Sequence, residues 1–192
     1  GMILPQEVIK TYRCINGHAS LLPKYRGASP IQAALLHNEP KTGITLIEMN
    51  EKMDEGNMLL SKSIVINQTD NFKTLHDQLS TLCANSIQAY LNHPQESIPQ
   101  DHKKATYCQK LTPKDRELKT SDSILSQYAK IKAFSPYPSA FIIQNELQIK
   151  IIEVVYKNNQ LIPIQVQPPG KKIMSYQDYL RGGYPKICLQ NE

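Results

Sequence analysis

The stretch Arg13-Cys-Ile-Asn-Gly-His-Ala-Ser-Leu-Leu-Pro23, followed by Ser29-Pro-Ile-Gln-Ala-Ala-Leu-Leu36, decides the fold class. Arg13 to Ala19 reads as a buried strand that delivers polar side chains at its end. Ser29 suits a helix N-cap, and Pro30 fits the first helical position, where its missing N–H would have had no partner. A strand that gives way to a helix within a few residues is the building unit of an α/β domain.

The same alternation continues outward from this stretch. Thr42-Gly43 ends a loop, Ile44 to Met49 reads as a strand, and Met58 to Ile66 reads as another with a less regular alternation. Asp70 to Leu91 is the best helix in the chain. Phe72, Leu75, Leu79, Leu82, Cys83, Ile87 and Leu91 recur at three- and four-residue steps and predict one apolar stripe. Asn92 and Pro94 stop it. Strands separated by helices predict a parallel sheet. The polar, proline-containing stretch from His93 to His102 reads as a loop or a boundary. Ser121 to Ala133 then predicts a helix, and Phe141 to Ile143, Leu147 to Tyr156 and Leu161 to Val166 predict strands. Asn145-Glu146, Asn158-Asn159 and Pro168-Pro-Gly170 punctuate those strands at turns. The expected organisation is an α/β domain over residues 1–112 and a small β-rich, barrel-like unit over 113–192.

Composition narrows the function classes. The chain has 192 residues, 40% hydrophobic and 20% charged, as a folded globular protein has and a disordered one has not. No apolar run approaches the roughly 20 residues that span a bilayer. No basic segment precedes an apolar core near Met2, so no secretion signal is read and a cytoplasmic location is expected. Cys14, Cys83, Cys108 and Cys188 are scattered without metal-ligand spacing and read as free thiols; no metal is expected. The net charge of +5 is uneven. Residues 1–100 hold 8 Lys/Arg against 9 Asp/Glu, and residues 101–192 hold 14 against 8. The basic second part hints at a polyanionic partner, although charge alone favours a solvated lysine surface.

The chemistry is concentrated at Asn16-Gly-His18. Residues two apart on a strand face the same side, so Asn16 and His18 project together. An amide that donates to a developing oxyanion beside a ring that titrates near neutral pH suits acyl transfer. Alone, such a pair reads better as polar strand-end residues. Its surroundings change that: Ala19-Ser-Leu-Leu-Pro23, Lys24-Tyr-Arg-Gly-Ala28, Thr42-Gly-Ile-Thr45 and Met53-Asp-Glu-Gly56 follow in order, with Asp54 thirty-six positions after His18.

This ordered series resembles the folate-dependent formyltransferase family, whose active site uses an Asn-x-His-x-Ser-Leu-Leu-Pro segment and a downstream Asp-x-Gly. The second half resembles the methionyl-tRNA branch of that family through Lys104-Ala-Thr-Tyr107, Lys132-Ala-Phe-Ser-Pro-Tyr-Pro-Ser-Ala-Phe141, Gln167-Pro-Pro-Gly-Lys-Lys172, Met174-Ser and Tyr179-Leu-Arg-Gly182. The resemblance implies formyl transfer from 10-formyltetrahydrofolate to the α-amino group of initiator methionyl-tRNA. It implies that Asn16 donates to the formyl oxygen, that His18 stabilises the tetrahedral intermediate and moves protons, and that Asp54 orients the ring. Ser20, Leu21, Leu22 and Pro23 would shape the floor near the folate, and Met2, Ile3 and Leu4 would line its pterin wall. Arg26, Lys171 and Lys172 are candidate tRNA contacts, with an internal salt bridge as the other reading of Arg26. His37, His76, His93 and His102 read as ordinary, and Phe134, Tyr137 and Phe141 as core aromatics.

Gly17 stands where the family has a branched apolar residue, Asn57 where it usually has an aspartate, and only Lys-Asn-Asn-Gln separates Tyr156 from Leu161. Nothing before Ile3 matches the family's N-terminal nucleotide-fold half, so an exposed sheet edge that pairs in a homodimer is expected. Two other readings stay open here. One is a sugar-amine N-formyltransferase sharing Asn16, His18 and Asp54; the other is a non-catalytic remnant of the family.

Overall fold

The computed structural model describes residues 5–189. They divide into two compact units: residues up to 34, 39–68 and 74–110 form the first, and residues 35–38, 69–73 and 111 onward form the second. Helix α1 (Gln6–Thr11) precedes strand β1 (Ile15–His18), the two-residue strand β2 (Arg26–Gly27) and helix α2 (Pro30–Leu36). Strands β3 (Lys41–Glu48) and β4 (Met58–Val65), helix α3 (Phe72–Asn92) and the short β5 (Tyr107–Cys108) follow. Helix α4 (Ile124–Phe134), strands β6 (Ala140–Gln144), β7 (Leu147–Lys157), β8 (Gln160–Gln167) and β9 (Met174–Ser175), and helix α5 (Tyr176–Arg181) complete the order.

In the first unit, β1, β3 and β4 form one sheet with β3 at its centre. Six consecutive residues of β3, Thr42 to Ile47, are buried. A central strand covered on both faces reads as a continuous apolar run, not as an alternation. The sheet corrects one expectation. Both pairings, β1 with β3 and β3 with β4, are antiparallel, and the only parallel ladder among the described residues is β2 with β5. The register sets His18 opposite Thr45 and Ile15 opposite Glu48, so the chain re-enters the sheet at the end where it left. Strand direction is a property of that return path. The seven-residue α2, about 10 Å long, does not carry the chain back along β1 as a crossover would.

Helix α3 buries Leu75, Leu79, Ser86 and Tyr90. These four share one face, and burying the two leucines contributes about 1.5–3 kcal/mol each. Ile87 and Leu91, expected on that stripe, are exposed instead. Three- and four-residue spacing admits a stripe rotated by one position, and here Ser86 and Tyr90 take the inward places. Against β1, the Cys83 thiol fills the space that a Cβ on Gly17 would need, and Arg13 Nη2 donates to the Tyr90 hydroxyl across 3.0 Å. The glycine at position 17 is therefore matched by a neighbour.

In the second unit, β6, β7, β8 and β9 form an antiparallel sheet in chain order. Its core holds Leu118, Ile131, Ala140, Ile142, Ile149, Ile151, Leu161, Val166 and Tyr179. Asn145-Glu146 and Asn158-Asn159 all have positive φ, between 49° and 64°. Paired left-handed residues make the hairpin turn whose twist matches the flanking strands. Ser123 caps α4, accepting from the Ser126 N–H, and Ser175 caps α5 in the same way through the Asp178 N–H. Phe134 and Phe141 are buried as expected, but Tyr137 is 77% exposed and is no core residue.

Candidate active site

The site lies in the first unit, where the end of β1 meets the 53–56 turn. Asn16 and His18 lie on the same side of β1, partly buried and buried respectively, while Ile15 and Gly17 are exposed. Among the described residues the Asn16 side chain makes no hydrogen bond, so its amide donors are free.

The His18 ring is held between two residues that both have left-handed backbones, Tyr25 with φ 60° and Asp54 with φ 55°. Nε2 lies 2.8 Å from the Tyr25 carbonyl oxygen. A carbonyl only accepts, so Nε2 carries a hydrogen and donates it. Nδ1 lies 3.6 Å from Asp54 Oδ1, beyond a direct hydrogen bond. The other Asp54 oxygen, Oδ2, accepts from the Gly27 N–H across 2.8 Å. Asp54 is thus anchored by one oxygen and presents the second to the ring.

Each neighbouring loop is tied down by its own bonds. The Tyr25 N–H donates to Thr106 Oγ1 at 2.9 Å, and the Arg26 N–H donates to the Thr106 carbonyl at 2.9 Å. The Tyr25 hydroxyl donates to Glu39 at 2.7 Å; burial, with that carboxylate beside it, pushes the phenol well above its usual range. Gly27 has φ 111°, and a Cβ there would collide with the Cys108 carbonyl. A Cβ on Gly56 would collide with the Glu48 carbonyl. These are backbone atoms with little room to move, so the glycine of Asp-Glu-Gly56 is a packing requirement.

Of the floor residues, Ser20 and Leu22 are buried, and their polar groups are internally engaged. Ser20 Oγ donates to the Lys24 carbonyl at 2.6 Å. The Leu22 N–H donates to Thr45 Oγ1 at 3.1 Å, and that hydroxyl donates to the Ser20 carbonyl at 2.8 Å. Leu21 and Pro23 are partly buried. Met2, Ile3 and Leu4 lie outside the described residues.

Arg26 is only 1% exposed. Its Nε and Nη2 donate to Gln100 Oε1 at 3.1 and 2.8 Å, and Nη1 donates to the Tyr107 hydroxyl at 3.2 Å. Glu55 Oε1 is 3.5 Å from Nη1. A buried guanidinium needs such partners, and the geometry is that of the internal salt bridge. His102, read as ordinary, belongs to the same cluster. Arginine has no acceptor, so His102 Nδ1, 3.1 Å from Arg26 Nη2, accepts. Lys171 and Lys172 are exposed in the second unit, in a turn where Gln167 Nε2 donates to the Lys171 carbonyl at 2.8 Å. Among the described residues no cluster of His, Cys, Asp or Glu converges to hold a metal, the four cysteines are unpaired, and no helix is long and apolar enough to cross a membrane.

The sequence reasoning missed Gln100, Tyr25 and Thr106. Gln100 lies in the His93 to His102 stretch that reads as a polar loop, where only burial distinguishes it, and Thr106 lies in Lys104-Ala-Thr-Tyr107, which carries a resemblance but no role of its own.

The formyl transferase family profile matches residues 1–92. The structure of methionyl-tRNA formyltransferase from Clostridium thermocellum shares the fold, with a TM-score of 0.75 at 23% identity over 88% of this chain and 74% of that one. HypX from Aquifex aeolicus, solved in complex with tetrahydrofolic acid, superposes with a TM-score of 0.69 at 15% identity, over 92% of this chain and 36% of that one. The fold is thus that of the formyl transferases. More specifically, the chain is 36% identical over 205 residues to the methionyl-tRNA formyltransferase of Wolbachia pipientis subsp. Culex pipiens (strain wPip), covering 95% of this chain and 67% of the relative. The chain belongs to the methionyl-tRNA formyltransferase family.

Proposed function

We propose that this chain transfers a formyl group from 10-formyltetrahydrofolate to the α-amino group of initiator methionyl-tRNA, with Asn16, His18 and Asp54 as its catalytic residues. The observation that carries the reading is the His18 ring between the Tyr25 carbonyl and the Asp54 carboxylate, on the same side of β1 as the unengaged amide of Asn16. The amine nitrogen bonds to the formyl carbon, and the carbonyl electron pair moves onto the formyl oxygen. Asn16 donates to that oxygen, and the Nε2–H of His18 exchanges the Tyr25 carbonyl for it. Collapse breaks the bond from the formyl carbon to the folate nitrogen. The amine has a proton to lose and the folate nitrogen one to gain, so the transfer is balanced overall. The Nδ1–Oδ1 pair of His18 and Asp54 relays it, through water across the 3.6 Å gap.

The Ser20 to Pro23 loop forms the floor beneath the folate. Its internal bonds to Lys24 and Thr45 support that role, since a floor has to be rigid before substrate arrives. Lys171 and Lys172 contact tRNA phosphate, residues 1–112 act as the catalytic domain and residues 113–192 as the accessory one. The reading places the protein in the cytoplasm, where initiator tRNA is charged. Strand β1 has β3 as its one neighbour among the described residues, and we offer its free edge as a pairing surface for a second copy.

The test is incubation with 10-formyltetrahydrofolate and initiator methionyl-tRNA, and in parallel with a nucleotide-linked amino sugar. Formyl-methionyl-tRNA as the product supports the reading. Formylation of the sugar alone, or of neither, overturns it.

A further inference from the structure

Gln100 is the most completely engaged buried amide in the first unit. It is 4% exposed, in the loop that follows α3. Its Nε2 donates to the carbonyls of Asp54 at 2.8 Å and Gly56 at 2.7 Å. Its Oε1 accepts from Arg26 Nε and Nη2 at 3.1 and 2.8 Å. A primary amide has two N–H donors and two lone pairs, and all four are used.

These bonds join the two segments that place Asp54. One is the 54–56 turn itself, through both carbonyls. The other is Arg26, whose neighbour Gly27 supplies the N–H that holds Asp54 Oδ2. Asp54 has φ 55°, a left-handed conformation that is unfavourable for a non-glycine residue and persists where its surroundings fix it. Gly56, pressed against the Glu48 carbonyl, gives the turn no slack on its far side.

We propose that Gln100 is a positioning residue for Asp54: it clamps the 54–56 turn to Arg26 and thereby sets how far Asp54 Oδ1 stands from His18 Nδ1. The proposal rests on the reading of Asp54 as the partner of His18 in formyl transfer. The hydrogen bonds of the Gln100 side chain run to Arg26 and to the Asp54 and Gly56 carbonyls, so it acts through the placement of Asp54.

Two variants separate this role from general stability. Gln100→Glu keeps an acceptor for Arg26 but loses both donors and sets an oxygen against two carbonyl oxygens. Gln100→Asn is one methylene too short to reach Arg26 and both carbonyls together. The imidazole 15N shifts of His18 are measured in each, beside Asp54→Asn, together with formylation kinetics. Both Gln100 variants are expected to move the His18 ring signals in the direction that Asp54→Asn moves them. They are expected to lower kcat about tenfold with KM for tRNA unchanged, and Gln100→Glu is expected to add little to Asp54→Asn, as residues acting as one unit do. Folded variants with native His18 signals, or losses that multiply with that of Asp54→Asn, overturn it. A wild-type chain that transfers no formyl group sinks the proposed function, while the ring signals still decide the role of Gln100. If neither variant folds, hydrogen exchange of the Gln100 side-chain amide in the unmodified chain decides: slow exchange of both protons supports the clamp, and fast exchange overturns it.

Discussion

The Gly27 N–H donates to Asp54 Oδ2 across 2.8 Å, and Gly27 is itself a position where no side chain fits. Its φ of 111° is a glycine conformation, and a Cβ would strike the Cys108 backbone carbonyl. The donor that anchors the carboxylate thus depends on the residue type that places it. Gly27→Ala is expected to destabilise the chain by at least about 2 kcal/mol, the sum of a strained backbone and a displaced β2–β5 pair. Urea unfolding checks this; a midpoint within error of wild type contradicts it.

Gly17 and Cys83 are expected to be coupled. The Cys83 thiol occupies the place of the missing Cβ, so Gly17→Ala alone overpacks that contact and costs about 1–3 kcal/mol. In the Cys83→Ala background the same substitution should cost clearly less, because the sulfur is gone. A double-mutant cycle reads the difference as an interaction energy of about 0.5–3 kcal/mol. Simple additivity would show that the two residues do not share that space.

Stability is expected to decline in alkali. Burial pushes Tyr179 up to about 12 from 10.0, and raises the Cys83 and Cys108 thiols above 9.0. A group whose folded value is raised contributes stability that is intact below its unfolded value and lost as pH climbs through the folded one. Lys132 opposes this, since burial lowers its amine from 10.5. The unfolding free energy should therefore hold level up to about pH 9 and fall above it. Tyr179→Phe should make the fall shallower. An unfolding free energy that rises from pH 9 to 11 contradicts the assignment.

Lys171 and Lys172 are the exposed candidates for phosphate contact, and Arg26 is internally paired. Replacing both lysines with alanine should raise KM for tRNA several-fold, leave kcat nearly unchanged and flatten the salt dependence of tRNA binding by up to about two charges. An unchanged salt slope removes them from the interface.

Much of the fold was legible because its signals are local. Ser29-Pro30 opens α2, Asn158-Asn159 turns β7 into β8, and Ile44 to Met49 reads as a strand because each is decided within a few residues, although Thr42-Gly43, read as the end of a loop, belongs to β3 as well. Asn16 and His18 were legible by strand period, and Asp54 by its place in the family pattern. What escaped is long-range. Gln100 lies 74 positions from Arg26 and 46 from Asp54, and no pattern in a single chain links them. The direction of β1 against β3 escaped for the same reason: periodicity says which face a residue takes, not which way the next strand runs. Ile87 and Leu91 were misplaced because two overlapping stripes fit one spacing.

The central claim is that the ring held by Tyr25 and Asp54 performs formyl transfer. Formylation of initiator methionyl-tRNA by the wild-type chain and by His18→Ala, at saturating 10-formyltetrahydrofolate, tests it most directly. The account predicts product from the wild type and a rate at least about 100-fold lower from His18→Ala, with folate binding retained. Equal rates from the two proteins would contradict it.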